Sequence, residues 1–115
     1  MAFQAGGAML ELCVLSVVSR EDTYGYKLIQ TIAQPLGLSE STLYPILRRL
    51  NKSGDLDVYD RNFDGRNRRY YHLSEKGEIH LRQLRSEWET FCKIMNELIQ
   101  EDTEDIQEEL YERDE

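Results

Sequence analysis

Hydroxyl, aromatic and basic side chains alternate with aliphatic ones in residues 39–54. The non-aliphatic members that matter here are Ser41, Thr42, Tyr44, Pro45, Arg48, Arg49 and Lys52. Hydroxyl and guanidinium groups hydrogen-bond phosphates and guanine edges, and a proline or tyrosine ring can contact a thymine methyl group. This chemistry suits contact with duplex DNA, although a basic pair alone is more often a solvated helix face.

A second basic group follows closely in the sequence. Arg66, Arg68 and Arg69, with Arg61 before them, surround the turn sequence Asp64-Gly65. Asp-Gly between two β-prone segments predicts a hairpin, so these arginines lie on one small β-structure. An arginine-rich hairpin directly behind a hydroxyl-rich helix favours a DNA-binding surface over a merely solvated one.

Other chemistries find little support. The sequence has neither a glycine-rich phosphate loop nor a nucleophile elbow, so we expect no enzyme and no catalytic residue. His72 and His80 lack metal-type partners three or four residues away, and nothing indicates that they converge with Cys13 or Cys92. We therefore predict no metal and no cofactor. Asp57 alternates with apolar neighbours and is expected on a solvated sheet face.

Three helices are predicted before the hairpin. The apolar block 8–18 is apolar nearly all round, so a helix there must be covered on every side, which indicates a second subunit. A second helix runs from about Tyr24 to Gln34, capped by Asp22 or Thr23 and ended by Pro35. The third helix starts at Ser39 or Ser41 and stops at Gly54, and Pro45 either follows its first turn or bends it.

The chain after the third helix continues with two strands, at 56–60 and 69–73, and a helix that Ser74 caps and that runs to about Gln100. Apolar residues recur along this last helix at spacings of three and four, namely Leu81, Leu84, Trp88, Phe91, Met95 and Leu98. Such a seam favours packing against a second copy, with packing on the protein's own core as the alternative. The predicted fold is mainly α (α+β): a winged helix-turn-helix with a two-stranded wing and a long C-terminal dimerisation helix.

The charge is very unevenly distributed. The chain has 115 residues and a formal net charge of −8. Residues 101–115 hold nine acidic side chains and one arginine, so residues 1–100 are neutral, with 13 of each sign. We divide the chain into a DNA-binding domain (1–74), a dimerisation helix (75–100) and an acidic tail (101–115) expected to be frayed or disordered. The alternative is a functional tail that binds a partner or that competes with DNA and so inhibits the protein.

Composition and termini indicate one cytoplasmic domain. The chain is 40% hydrophobic and 31% charged, as in ordinary globular proteins. It has no apolar run long enough to span a membrane and no secretory signal. Two cysteines 79 residues apart form no disulfide framework and suggest reduced thiols.

Three motifs resemble the PadR family of bacterial transcriptional regulators over roughly residues 3–100. They are Tyr24-Gly25-Tyr26, the segment Leu38 to Leu50 followed by Ser53-Gly54, and the segment Arg68 to Gly77. The length and single C-terminal helix resemble the short subfamily that includes a lactococcal multidrug-binding regulator. The resemblance implies a homodimeric repressor built from the first and last helices, which binds a pseudo-palindromic operator in double-stranded DNA.

The resemblance also implies roles for individual residues. Tyr24, Tyr26 and Lys27 stand where the family contacts phosphates, and Tyr44, Pro45, Arg48, Arg49 and Lys52 stand on its recognition helix, opened by Ser41 and Thr42. Arg66, Arg68 and Arg69 form the wing, whereas Tyr70 and Tyr71 are expected in the strand core. Trp88 matches the tryptophan that stacks on flat aromatic inducers in drug-binding members. Its expected neighbours in a ligand site are Ala8, Glu11, Leu12 and Cys92, with pure packing of Trp88 as the alternative.

A hypothesis from a different functional class, protein binding, also remains open from the sequence. A winged-helix scaffold can bind protein instead of DNA, through the acidic tail or the long helix. The basic hairpin beside the hydroxyl-rich helix argues against it.

Overall fold

The computed structural model describes residues 6–100, and the predicted acidic tail at 101–115 lies outside them. The elements in chain order are α1 (Gly7–Arg20), β1 (Thr23–Tyr24), α2 (Gly25–Leu28), which continues as a π-helix (Ile29–Ala33), α3 (Glu40–Lys52), β2 (Leu56–Phe63), β3 (Arg66–Leu73) and α4 (Glu75–Ile99). This is the predicted winged helix-turn-helix with a long C-terminal helix, which confirms the fold class.

One apolar core joins the helices to the base of the sheet. From α1 it takes Leu10, Val14, Leu15 and Val18, and Leu43, Leu47 and Leu50 of α3 are buried against them. The opposite face of α1 is only partly covered within the chain, where Met9, Leu12, Cys13 and Val17 stay half-buried. The prediction that α1 is covered on every side therefore holds for one face of this chain only.

The second helix differs from its prediction at both ends. Thr23 lies in β1, paired with Tyr71, and Tyr24 occupies the N-cap position without a side-chain cap, so neither Asp22 nor Thr23 is the cap. From Ile29 onward the helix widens to π geometry, with Gln34 N donating to Ile29 O at 3.0 Å, and it ends at Ala33, before Pro35.

Helix α3 follows the predicted amphipathic pattern. Leu43, Ile46, Leu47 and Leu50 form its buried stripe, because residues three and four apart share one helix face. Ser39 is the N-cap residue, and Pro45 lies inside the helix. Gly54 has a φ of 87°, which suits glycine, and Asp55 N then donates to Leu50 O at 3.0 Å to close the helix end.

The wing is a three-stranded antiparallel sheet in the order β1-β3-β2. The predicted strands at 56–60 and 69–73 were too short, and β1 was missed. The hairpin pairs continuously from Leu56↔Leu73 to Phe63↔Arg66. Asp64 and Gly65 both have positive φ, 51° and 77°, as the predicted two-residue turn requires.

Helix α4 begins where predicted, with the Ser74 hydroxyl accepting from Gly77 N at 3.0 Å. Its apolar seam divides into two parts. Leu81 and Leu84 are buried in the chain's own core, which corrects their assignment to a dimer interface. Trp88 and Phe91 are half-buried, and Met95 and Leu98 are exposed, Leu98 at 75%. The globular body covers only the first half of the helix.

Candidate nucleic-acid interface

A cleft of about 680 Å³ lies between the start of α2, the exposed face of α3 and the wing. Its lining contains seven of the predicted DNA-binding residues, namely Tyr24, Tyr26, Tyr44, Arg48, Arg66, Arg68 and Arg69. Gly25 and Tyr71 complete the lining. Three separate sequence segments therefore meet at one surface.

The exposed face of α3 forms one side of this surface. Ser41, Pro45, Arg48 and Lys52 are all exposed and recur at spacings of three and four, which places them opposite the buried leucine stripe. Thr42 and Tyr44 are exposed at the two edges of this face. The side chains expected to contact DNA are thus not covered by their own chain.

Tyr44 connects α3 to the start of α2. A Cβ atom added to Gly25 would lie 3.3 Å from Tyr44 Cε1, so the ring passes very close to this backbone. A glycine here allows that approach, which explains Gly25 in the Tyr-Gly-Tyr motif. Tyr24 and Tyr26, the neighbours of Gly25 in this motif, line the same cleft as Tyr44.

Arg68 is held between two aromatic rings. Its guanidinium carbon lies 4.6 Å from the centroid of Tyr24 and 5.0 Å from that of Phe63. Cations over aromatic faces are stabilised by the ring quadrupole, and the stacking limits the rotamers of the side chain. The sequence interpretation missed Phe63, although an aromatic residue beside an Asp-Gly turn is a signal that could have identified it.

The cleft is electropositive, because every charged side chain that lines it is an arginine: Arg48, Arg66, Arg68 and Arg69. Burial raises the pKa of the Tyr71 phenol above its ordinary value, and nearby Arg69 and Arg48 offset part of that rise. Tyr71 therefore stays a neutral hydroxyl between α3 and the wing. Tyr70 is buried, as expected for strand core, and stacks on Tyr59 at 5.6 Å.

Two of the residues predicted to contact DNA, Arg49 and Lys27, do not line the cleft. Arg49 donates from Nε and Nη2 to Glu11 Oε1 on α1, at 2.9 and 2.6 Å, so its side chain does not line the cleft. Lys27 forms an exposed ion pair with Glu21 at 3.3 Å and is also absent from the lining. The structure therefore places Arg49 on the flank of α3 nearest α1, whereas its prediction had it among the residues that face DNA.

A second cleft, of about 520 Å³, lies between α1, the π-helix and α4. Leu12 and Trp88 line it as predicted for a ligand site, together with Met9, Cys13 and Val17. Ala8, Glu11 and Cys92 do not line it, and Glu11 is paired with Arg49 instead. Burial raises the pKa of the Cys13 thiol, which keeps it protonated and apolar.

Within residues 6–100, no group of three or more His, Cys, Asp or Glu side chains is placed to hold a metal ion. In the same part of the chain, none of the helices has the length and apolar character to cross a bilayer.

Comparison with known proteins agrees with this architecture. The model of the transcriptional regulator PadR-like family matches residues 14–83. An uncharacterised protein of Lysinibacillus sphaericus is 30% identical over 92 residues, which cover 76% of this chain and 84% of the relative.

Solved structures show the same similarity. A crystal structure from Streptococcus mutans shares 40% identity and a TM-score of 0.76, over 89% of this chain and 100% of that one. A PadR-like transcriptional regulator from Bacillus cereus shares 30% identity and a TM-score of 0.74, over 82% and 94% of the two chains. A PadR family regulator from Clostridium difficile shares 26% identity and a TM-score of 0.72, over 79% and 98%. With the family model matching more than half of its length, the chain belongs to the PadR-like family of transcriptional regulators.

Proposed function

We propose that this regulator is a homodimeric, sequence-specific repressor that binds a pseudo-palindromic operator in double-stranded DNA. The observation that carries the proposal is the cleft in which four arginines from α3 and the wing surround the exposed face of the recognition helix. The geometry of the cleft suggests a role for each group of residues. Helix α3 enters the major groove with Ser41, Thr42, Tyr44 and Pro45 toward base edges, while Arg48, Lys52 and the wing arginines contact phosphates.

The start of α2 supplies further backbone contacts. Tyr26 is 58% exposed beside the cleft, and its hydroxyl can donate to a phosphate. Lys27 is exposed and its ion pair with Glu21 is a surface pair, so the ammonium can exchange that partner for a phosphate at small cost. We therefore keep Tyr24, Tyr26 and Lys27 as proposed phosphate contacts.

Dimerisation is supported by apolar surface that this chain leaves uncovered. Ile94, Met95, Leu98 and Ile99 are exposed on the second half of α4, and the helix of 25 residues is about 37 Å long at 1.5 Å per residue. We propose that a second copy covers this half together with the half-buried face of α1. Two recognition helices then reach half-sites about one helical turn apart, roughly 34–36 Å.

An aromatic inducer is proposed for the cleft beside Trp88. The apolar lining and a size of about 520 Å³ suit a flat ligand of drug-like size. Trp88 stacks near Phe91, with ring centroids 6.0 Å apart, and offers a plate for stacking. Quenching of Trp88 fluorescence by planar aromatic compounds, followed by release of DNA, tests this part. An unresponsive indole in an intact dimer favours packing alone.

Titration of the protein with fluorescent duplexes tests the central proposal. One duplex carries the promoter of the protein's own gene, and a control has the same length and composition in scrambled order. At physiological salt we expect preference for the promoter duplex by a factor of about 10³ or more. Equal binding of both duplexes would exclude a sequence-specific repressor. No binding at all would favour a winged-helix module that binds protein.

A further inference from the structure

A polar cluster beside the recognition helix joins three helices. The Glu11 carboxylate of α1 accepts two hydrogen bonds from Arg49 of α3 at Oε1, and its Oε2 lies 3.8 Å from His80 Nε2 of α4. His80 Nδ1 in turn lies 3.4 Å from Asp55 Oδ2. The cluster therefore runs from the DNA-facing helix, across the first helix, to the long helix.

Burial makes this carboxylate different from a surface ion pair. The Glu11 side chain is only 17% exposed, whereas that of Arg49 is 56% exposed. Charge-assisted hydrogen bonds to a carboxylate with little water around it are stronger than exposed pairs, and Arg49 donates two of them, from Nε and Nη2, to the single oxygen Oε1. Asp55 is buried as well, and accepts from Ser53 Oγ at 2.6 Å, so the far end of the cluster is anchored at the end of α3.

We propose that Glu11 is a positioning residue for DNA recognition: it restrains Arg49 away from DNA and sets the orientation of α3 against α1 and α4. The proposal rests on the proposed DNA-binding function. Arg49 lies at the edge of the face formed by Ser41, Pro45, Arg48 and Lys52, so an unrestrained Arg49 side chain can reach a phosphate. Glu11 thus removes one sequence-independent contact from each protomer and favours sequence discrimination.

Three variants of the full-length protein test this role: Glu11→Gln, Arg49→Met and the double variant. DNA affinity is measured against salt concentration, with promoter and scrambled duplexes. In Glu11→Gln we expect tighter binding of scrambled DNA, a slope of log K against log salt that is steeper by about 0.9 per protomer, and a smaller promoter preference. Arg49→Met keeps the slope of the parent protein, and Glu11→Gln has no further effect on the slope in that background.

Glu89→Gln is the matched control, because it removes the same charge from an exposed position of α4. It should leave the slope unchanged. The proposal is overturned if Arg49→Met flattens the slope by about 0.9 per protomer while Glu11→Gln leaves it alone. Arg49 would then be a direct phosphate contact. Arg49→Met also keeps the proposal testable if Glu11→Gln fails to fold.

Failure of the DNA-binding function is distinguishable from failure of this inference. If the parent protein binds neither duplex, the proposed function is lost, and the fluorescence titration shows this before any variant is made. If the parent protein binds and Glu11→Gln, Glu89→Gln and the parent share one salt slope, only the role of Glu11 is refuted.

Discussion

At the residue scale, the candidate interface depends on arginines whose side chains are restrained by different partners. Arg68 is stacked between Tyr24 and Phe63, and Arg49 is paired with Glu11. Residue type alone does not distinguish them, since both are arginines beside a predicted DNA-binding face. Their neighbours assign one to the cleft and the other to the helix bundle.

Arg68→Ala should weaken binding of promoter and scrambled duplexes by about the same factor, because a phosphate contact carries no sequence information. The salt slope should become shallower by about 0.9 per protomer. Fluorescence anisotropy at several salt concentrations measures both quantities. Arg82→Ala, at an exposed position of α4 outside the cleft, is the control. A loss confined to the promoter duplex would instead indicate that Arg68 contacts a base.

The contacts of Asp22 predict that part of the stability of the folded protein is lost in acid. Burial raises the pKa of this carboxyl, but hydrogen bonds from Tyr59 at 2.6 Å and His72 at 2.8 Å, with the charge of His72, together lower it below its ordinary value. Because the pKa is lower in the folded state, the ionised carboxylate stabilises the fold at pH values above the unfolded-state pKa of about 3.9. This stabilisation is lost as the pH falls through the folded-state pKa.

Urea unfolding of Asp22→Asn between pH 6 and pH 3 measures this contribution. The parent protein should lose more stability than Asp22→Asn as the pH falls below about 4. Asp64→Asn serves as the control, because Asp64 is exposed in the hairpin turn and asparagine tolerates its positive φ. Parallel pH curves for the parent and Asp22→Asn would show that the Asp22 contacts contribute nothing.

At the element scale, the start of α4 is packed directly onto the end of α3. A Cβ atom at Gly77 would overlap the backbone oxygen of Asp55 and lie 2.6 Å from Leu73 Cδ1. Ser74 donates its hydroxyl to the backbone oxygens of Gly54 and Asp55 at 2.5 and 3.0 Å. Gly77 is therefore required by packing, and together with Ser74 it joins the wing, the end of α3 and α4.

Gly77→Ala should destabilise the protein by about 1–3 kcal/mol, since the added methyl group meets backbone that cannot move aside. The sign is informative, because glycine to alanine in a helix ordinarily stabilises by up to about 1 kcal/mol. Chemical denaturation followed by circular dichroism measures the change. Gly7→Ala in α1 is the control, with its nearest contact at 3.7 Å from a flexible arginine end. Equal effects at the two sites would contradict the packing argument.

At the scale of the whole molecule, the second half of α4 extends beyond the globular body, with Met95 and Leu98 exposed. An apolar seam at this spacing suits helix–helix packing. The exposed half of α4 therefore supports the proposed pairing with a second copy.

Leu98→Asp should convert the proposed dimer into a species of 13.6 kDa without loss of monomer stability, because Leu98 is 75% exposed. Operator affinity should fall by about 10² or more, since the second half-site is no longer held nearby. Sedimentation velocity and anisotropy measure the two effects, and Glu97→Gln at the adjacent exposed position is the control. A parent protein that sediments as a monomer would refute the dimer.

Features that depend on local spacing could be predicted from the amino-acid sequence alone. The leucine stripe of α3, the stop at Gly54, the Asp64-Gly65 turn and the basic wing could all be predicted, because each follows from contacts within a few residues. Most of the candidate DNA interface followed from them, since an amphipathic helix has only one face left for solvent.

The surfaces that those elements present depend on contacts between distant parts of the chain. The Glu11–Arg49 pair joins residues 38 positions apart, the strand β1 exists only through pairing with β3, and Leu81 is buried while Leu98 is exposed on one continuous seam. The spacing of apolar residues identifies the apolar face of a helix, but it does not identify the part of the protein that covers that face. Coverage depends on how the helices and the sheet pack, a property of the whole chain that local pattern does not contain.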